Sequence, residues 1–313
     1  MGSTLAGTGP VAFGAGRGVI FDPLATPWTP DAATTLDRVM PSYLSDIVAS
    51  HRALAESDER DVDELIAQAV RLPPTLGFAD ALATRAHDGL AVIAEIKRRS
   101  PSKGELDPNL DPGGLARDYF AGGATCLSVL TDGPYFGGSP ADLVAAKAAS
   151  GLPVLRKDFT VSRADICDAR LMGADAVLLI VAALGDDELA EMLGLAAVLG
   201  LSALVEVHDD AELDRGLGAG ARLVGVNQRD LHTFEVEPKR AERLAAGLPS
   251  HVIAVAESGV RDGADAARLA SAGYQAVLVG ETLVRAPDRA QAVRSMAGHP
   301  VGTREDAEPA RSR

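Results

Sequence analysis

From Ala91 onward the chain repeats one pattern: a short apolar run, a polar or glycine-bearing loop, then a stretch with apolar residues at helical spacing. The apolar runs are Ala91–Ile96, Cys126–Leu130, Leu152–Leu155, Ala176–Val181, Ala203–Val207, Leu223–Val226, Val252–Ala256 and Ala276–Val279. Runs this short and this uniformly apolar predict parallel strands buried on both faces. Helices fit between them, for example over Pro140–Ala149, Asp187–Leu199, Asp209–Leu217 and Asp262–Ala272. Gly151, Gly200, Gly220 and Gly273 stand just past these four, where a left-handed cap is wanted. Eight strands alternating with helices within about 200 residues predict an α/β fold, the (β/α)8 or TIM barrel, with its active site at the C-terminal ends of the strands. An open doubly wound sheet competes. To bind a nucleotide it needs a glycine-rich turn after the first strand, and Arg98–Lys103 is not one.

Upstream of the repeat, Leu36–Ala55 carries apolar residues at helical spacing, with Val39, Leu44, Ile47 and Val48 as its expected buried stripe. Val62–Val70 predicts a second short helix, followed by a Pro-containing connection to Ala91. Residues 1–31 are rich in Gly, Pro, Thr and Ala without sustained periodicity, and are expected to form a flexible extension. Their GAGRG, Gly14–Gly18, is not a dinucleotide loop, because no strand precedes it and the third glycine is missing. The expected organisation is therefore an N-terminal extension over 1–31, a barrel with N-terminal helices over 32–298, and a polar tail over 299–313.

Composition narrows the partners. With 47 % hydrophobic residues in 313, the chain can bury a large core, as one barrel or as two smaller domains. Two cysteines, Cys126 and Cys167, are too few for a disulfide scaffold, and without CxxC or HExxH no metal or structural zinc is expected. Both are expected in the core of a cytoplasmic protein. No run approaches the ~18 apolar residues of a membrane helix, and Met1–Gly18 lacks the features of a secretory signal. A formal charge of −14 argues against nucleic acid or an anionic membrane as partner. Against that background Lys97, Arg98, Arg99 and Lys103, opposed by Glu95, leave a local +3 that points to a small anionic ligand.

The chemistry gathers where the apolar runs stop. In Ala91–Gly104, AVIAEIKRRSPSKG, strand alternation puts Glu95 and Lys97 on one face. Lys157, Glu206, Asn227, Glu257 and Ser258 end later runs, and in a barrel these ends converge. A polar residue often ends a strand simply because water begins there, but charged residues are depleted from buried positions unless paired, so recurrence around a barrel mouth favours a site. After the seventh run comes Glu257-Ser258-Gly259, and after the eighth Gly280-Glu281 opens a short helix. Loops in these two places, with glycines that admit close backbone approach, suit a phosphate held by backbone N–H groups, to which Glu281 can contribute only its N–H.

With these motifs in place the chain closely resembles the indole-3-glycerol phosphate synthase family. The resemblance runs from about Leu36 to Met296 and rests on AEIKRRSPSKG, SVLTDGPYFGGS at Ser128–Ser139, LRKDF at Leu155–Phe159, LVEVH at Leu204–His208, GVNQRDL at Gly225–Leu231 and AESGV at Ala256–Val260. It implies ring closure of 1-(2-carboxyphenylamino)-1-deoxyribulose 5-phosphate with loss of carbon dioxide and water, in tryptophan biosynthesis, without a cofactor. It implies Lys157 as general acid and Glu206 as base. Lys97 matches a residue that binds the anionic substrate, and a further acid role in dehydration stays open. Glu95, Asn227, Glu257 and Ser258 match residues that orient the lysines and hold substrate. Phe136, Phe159 and Leu178 match the apolar walls around the aromatic ring, and Ser100, Gly259, Gly280 and Glu281 the phosphate grip. For this chemistry, burial and neighbouring cations are expected to lower the lysine's pKa, and burial to raise that of the glutamate. The alternatives are another phosphate-binding barrel such as phosphoribosylanthranilate isomerase, which resembles a Cys and Asp pair at work, and a non-catalytic sugar-phosphate-binding barrel. Any other tryptophan-pathway enzyme acting with it is expected to be a separate chain.

Overall fold

The structure, a computed structural model, describes residues 43–100, 103–230 and 235–304. The extension expected over 1–31, Val39 of the first predicted helix, and the tail beyond 304 lie outside these residues.

Eight parallel strands close into a barrel in chain order: β1 (Ala91–Ile96), β2 (Cys126–Leu130), β3 (Val154–Lys157), β4 (Ala176–Ile180), β5 (Ser202–Val207), β6 (Leu223–Asn227), β7 (Ile253–Glu257) and β8 (Ala276–Val279). β8 pairs with β1 through Ala91↔Ala276 to Ala94↔Val279 and completes the ring. Helices follow the strands and begin where the sequence supplies caps. Ser139 accepts from Asp142 N ahead of Pro140–Ser150, Ser162 forms a capping box with Asp165, and Asp262 accepts from Ala264 N and Asp265 N. Gly151, Gly200, Gly220 and Gly273 take φ between +70° and +93°, the left-handed conformation expected of them.

Alternation along each strand divides the apolar residues into two clusters. Val92, Leu127, Val177, Val205, Val224 and Val277 face outward into a layer shared with the helices. Ala91, Ile93, Cys126, Leu155, Leu178, Leu204, Leu223, Val255 and Leu278 face inward and fill the lower barrel. The inward parity continues upward: Glu95 follows Ile93, Lys157 follows Leu155, Glu206 follows Leu204, and Glu257 follows Val255. The barrel interior is thus apolar below and charged at its C-terminal rim.

Five strands run differently from their apolar signatures, two of them by one residue only: β4 stops at Ile180 and β5 starts at Ser202. β3 starts at Val154, not Leu152, because Pro153 has no N–H to give and its carbonyl instead accepts from Leu127 N at 2.9 Å. β3, β6 and β7 then extend through Lys157, Asn227 and Glu257, polar residues that end an apolar run but not a ladder.

The connection before β1 contains a helix that its composition did not announce, Phe78–Ala86, following Gly77 at φ +68°. Phe78 and Leu82, one turn apart, are fully buried beneath the inward cluster and plug the bottom of the barrel. At that same end Asp175 is completely buried and accepts from Leu76 N (2.8 Å), Lys147 Nζ (2.8 Å to Oδ2) and Val154 N (2.9 Å). Beyond the barrel helices, the chain over 299–304 returns to this face, where Leu90 N donates to His299 O and Gly302 N to Ala270 O, both at 2.8 Å.

Of the two N-terminal helices read from the sequence, the first is described over Tyr43–Glu56, with Leu44 and Ile47 buried and Val48 only half-buried. The second spans Val62–Ala69.

Candidate active site

The charged rim opens into a cavity of about 520 Å³ at the C-terminal end of the barrel, roofed by Tyr43, Leu44 and Ile47 of the first helix. Every site residue expected from the sequence lines it: Glu95, Lys97, Ser100, Phe136, Lys157, Phe159, Leu178, Glu206, Asn227, Glu257, Ser258, Gly259, Gly280 and Glu281.

Its centre is an ion triad. Lys157, with a side chain 13 % exposed, donates from Nζ to Glu206 Oε2 and Glu257 Oε2, each at 2.7 Å. Asn227 Nδ2 donates to the other oxygen of Glu206 at 3.0 Å. On β1, Lys97 pairs with Glu95 as strand parity predicts. Two glycines make room for these carboxylates. A Cβ on Gly225 would lie 2.0 Å from Glu257 Oε1, and one on Gly280 would lie 2.3 Å from Glu95 Oε1 and 3.2 Å from Lys97 Nζ.

The electrostatics reverse the sequence expectation. Burial by itself would push Lys157 down, but Glu206, Glu257 and Glu95 outweigh it and hold the ammonium above its usual range. Burial would push Glu206 up, but Lys157, with His208 and Asn227, holds it ionised below the usual carboxylate range. Glu257, raised by burial against the pull of Lys157, reaches about 7. Burial acts on each group in the direction the sequence suggests, and the opposite charges set beside it reverse the outcome.

At the outer end, Ser258 has φ +65°, the one non-glycine residue among those described in the left-handed region, and Gly259 follows at +73°. A Cβ on Gly259 would meet Val236 Cγ1 at 2.7 Å. Glu281 lies within 3.7 Å of Arg285, so its carboxylate has a cation on its own helix. On the other flank Phe136 and Phe159 are 6.2 Å apart between centroids, and the His51 ring lies 5.3 Å from Phe159. His51 Nε2 is 3.0 Å from Asp132 Oδ2, while Asp132 Oδ1 accepts from Tyr135 N and Phe136 N, so this carboxylate joins the roof helix to the aromatic wall.

The basic run of β1 is only partly a ligand feature. Arg98 turns outward onto Asp142 and the Leu110 carbonyl, and Arg99 reaches the Gly133 and Pro134 carbonyls, which leaves Lys97 and Lys103 lining the cavity. Arg229 and Arg261 replace them there. Neither was singled out from the sequence, because each lies in a loop just past a strand end, where arginines are ordinarily surface residues. Cys126, the strand thiol that a rival Cys-and-Asp isomerase would have to use, is fully buried in the lower barrel, 3.8 Å from the Phe78 carbonyl, and burial pushes its thiol well above the usual range. Both cysteines are free and buried, as expected.

Residues 44–296 match the family model described as indole-3-glycerol phosphate synthase. The chain belongs to the indole-3-glycerol phosphate synthase family. It is 48 % identical over 261 residues to indole-3-glycerol phosphate synthase of Mycobacterium ulcerans (strain Agy99), a match that covers 83 % of this chain and 93 % of that one. Against the Mycolicibacterium vanbaalenii enzyme of the same name the identity is 49 % over 262 residues, covering 84 % and 93 %. Against that of Micrococcus luteus it is 50 % over 255 residues, covering 80 % and 95 %. Among the described residues no helix is long and apolar enough to cross a membrane.

Proposed function

We infer that the protein is a carboxy-lyase of tryptophan biosynthesis, closing the indole ring of 1-(2-carboxyphenylamino)-1-deoxyribulose 5-phosphate to give indole-3-glycerol phosphate, carbon dioxide and water. The single observation that carries the reading beyond family membership is the Lys157 ammonium between Glu206 and Glu257, set in a cavity with an aromatic flank and a glycine-bearing flank.

Lys157 protonates the substrate carbonyl as the ring carbon attacks it. Ring closure develops negative charge on that oxygen, and an ammonium at the barrel mouth meets it directly. Loss of carbon dioxide restores the aromatic ring, and departure of the hydroxyl as water then requires a proton to leave carbon. Glu206 takes it. The acid and the base are separate because one step adds a proton at oxygen and the other removes one at carbon. What matters for both is the protonation state at neutral pH, and both groups rest in the state the reaction needs, Lys157 charged and Glu206 ionised.

Lys97, held by Glu95, binds the anionic substrate and is the second acid available for dehydration. Asn227, Glu257 and Ser258 orient these groups and hold the carboxylate and hydroxyls of the substrate. Phe136, Phe159 and Leu178 wall the anthranilate ring, and Ser100, Gly259, Gly280 and the N–H of Glu281 grip the phosphate. No cofactor enters, and the enzyme is assigned to the cytoplasm. The isomerase alternative would need a reactive thiol, and Cys126 is buried away from the cavity. The reading is tested by fluorescence-monitored turnover of the carboxyphenylamino substrate with purified protein. Formation of indole-3-glycerol phosphate with stoichiometric carbon dioxide is expected, and absence of turnover by folded protein would refute it.

A further inference from the structure

Three carboxylates, Glu95, Glu206 and Glu257, meet only two ammoniums, Lys97 and Lys157, in the upper barrel. Glu206 and Glu257 share one ammonium, so a further cation beside Glu206 adds to what holds that carboxylate ionised. The residue placed to supply it is His208, two positions beyond Glu206 and therefore on the same side of the chain, with its ring 11 % exposed.

The geometry fixes the state of this imidazole. Glu212, on the helix Asp210–Gly218, accepts through Oε2 from His208 Nδ1 at 2.9 Å and from His208 N at 2.8 Å. An ionised carboxylate only accepts, so Nδ1 carries a hydrogen. The other ring nitrogen, Nε2, is buried, lies 3.4 Å from Glu206 Oε1 and makes no closer hydrogen bond. In a neutral ring with its hydrogen on Nδ1, the lone pair of Nε2 would face a carboxylate oxygen. Only the imidazolium puts a donor toward each carboxylate.

We propose that His208, clamped by Glu212, is a positioning residue for Glu206: as a cation it fixes the side chain and keeps it ionised through the reaction. The inference rests on Glu206 being the base. Its use arises between the two chemical steps. Once Lys157 has given its proton to the substrate oxygen, the amine left behind no longer offsets the charge of Glu206. Asn227 contributes one neutral hydrogen bond, and His208 is the cation that remains on Glu206 Oε1. Facing the imidazole are Glu206 on its own strand and Glu212 on the following helix. Beyond Glu206 stand Lys157 from β3, Asn227 from β6 and Glu257 from β7. Burial would lower the pKa of His208, and Glu206 and Glu212 together outweigh it and raise it to about 9, in keeping with a charged ring at neutral pH.

Two readouts test this. In protein labelled with 15N-histidine, with the His208 signals assigned by their loss in His208→Gln, the ring nitrogens should show an imidazolium at pH 7.5 that titrates near 9. A neutral ring at pH 7.5 overturns the proposal, and needs no substrate to be seen. In turnover assays His208→Gln, which keeps a donor but not the charge, should move the acid limb of kcat/KM upward by about one pH unit, a tenfold loss on that limb, with KM nearly unchanged. A uniform fall in activity with the limb unmoved would make His208 merely structural and overturn the proposal. Should that variant not fold, Glu212→Gln leaves the imidazole in place and lowers its titration point. The ring-nitrogen titration should move down with it, and an unmoved titration point overturns the proposal. Failure of the parent to turn over substrate would remove the functional reading alone, because the nitrogen titration still decides the state of His208.

Discussion

Replacing Lys157 with Met keeps the length of the side chain and removes both its proton and its charge. Glu206 Oε2 and Glu257 Oε2 each lie 2.7 Å from the lost nitrogen, so two carboxylates would be left facing one another in a buried layer. At roughly 5 Å and an effective dielectric constant near 20 their repulsion is about 3 kcal/mol, or about two pKa units. One of them must then bind a proton near neutral pH, and Glu257, already raised to about 7, is the group expected to do so. A carboxyl whose folded pKa exceeds its unfolded value of about 4.3 contributes stability below that value and loses it as pH rises through the folded pKa. The variant should therefore be less stable at pH 8 than at pH 5, relative to the parent, by about 1.4 kcal/mol, or about 3–6 °C in Tm for a domain of this size. Turnover should fall at least ~100-fold, because Met has no proton to give. Thermal melts followed by circular dichroism across this pH range, with single-turnover fluorescence at pH 7.5, measure both. Near-parental turnover in folded protein would move the ring-closing acid to Lys97, and a pH-independent Tm difference would refute the electrostatic account of the triad.

Glu206→Gln keeps the shape of the proposed base and should cost about 100-fold in kcat with KM little changed; a variant that binds substrate weakly yet turns over at the parental rate would contradict this. Gly280→Ala sets a Cβ against Glu95 Oε1 and Lys97 Nζ, so steady-state kinetics should show both kcat and KM worsened, with kcat/KM down about tenfold or more; an effect on KM alone would mean the clash is relieved without disturbing that pair. Asp175→Asn replaces an acceptor of three donors by a group that must point an N–H at one of them, and should lower unfolding free energy by about 2–4 kcal/mol in urea while leaving activity per folded molecule intact. His51 is raised because Asp132, followed by Asp158, outweighs the effect of burial, so its pairing stabilises fully below pH ~6.5 and is lost as pH rises through its folded pKa. The Tm advantage of the parent over His51→Gln should shrink across that window, and an advantage constant in pH would show that the imidazole acts by packing on Phe159.

Most of the fold was legible because a parallel strand buried on both faces must be apolar at nearly every position, and no other element of that length looks the same. Strand ends were less legible where function sits. Lys157, Asn227 and Glu257 end an apolar run while still bonded in the ladder, so the pattern stops a residue or two before the strand does. The Phe78–Ala86 helix escaped because its buried face consists mainly of Phe78 and Leu82, two residues that set up no periodicity by themselves. The placement of the site residues followed from parity and from the convergence of strand ends. Arg229, Arg261, His51 and Asp132 did not, since what brings them to the cavity is loop and helix packing that leaves no periodic trace.

The charge states were illegible for a different reason. Burial of a lysine is visible in a sequence as an apolar neighbourhood, but the sign of the resulting shift depends on which side chains from other strands arrive within hydrogen-bond reach. Glu206 comes from two strands away and Glu257 from four, and together they turn a lysine expected to be weakened into one held firmly charged. The pairing also shapes the proposed catalysis. An ammonium carries three N–H donors, and Lys157 Nζ gives two of them to Glu206 and Glu257, so a substrate oxygen can accept the third without displacing either carboxylate. On the proposed roles, transfer of that proton would leave a neutral amine between the two carboxylates, with Asn227 and His208 still holding the other oxygen of Glu206. The contacts on Glu206 Oε1 would then be the ones that decide where the carboxylate points for the later step.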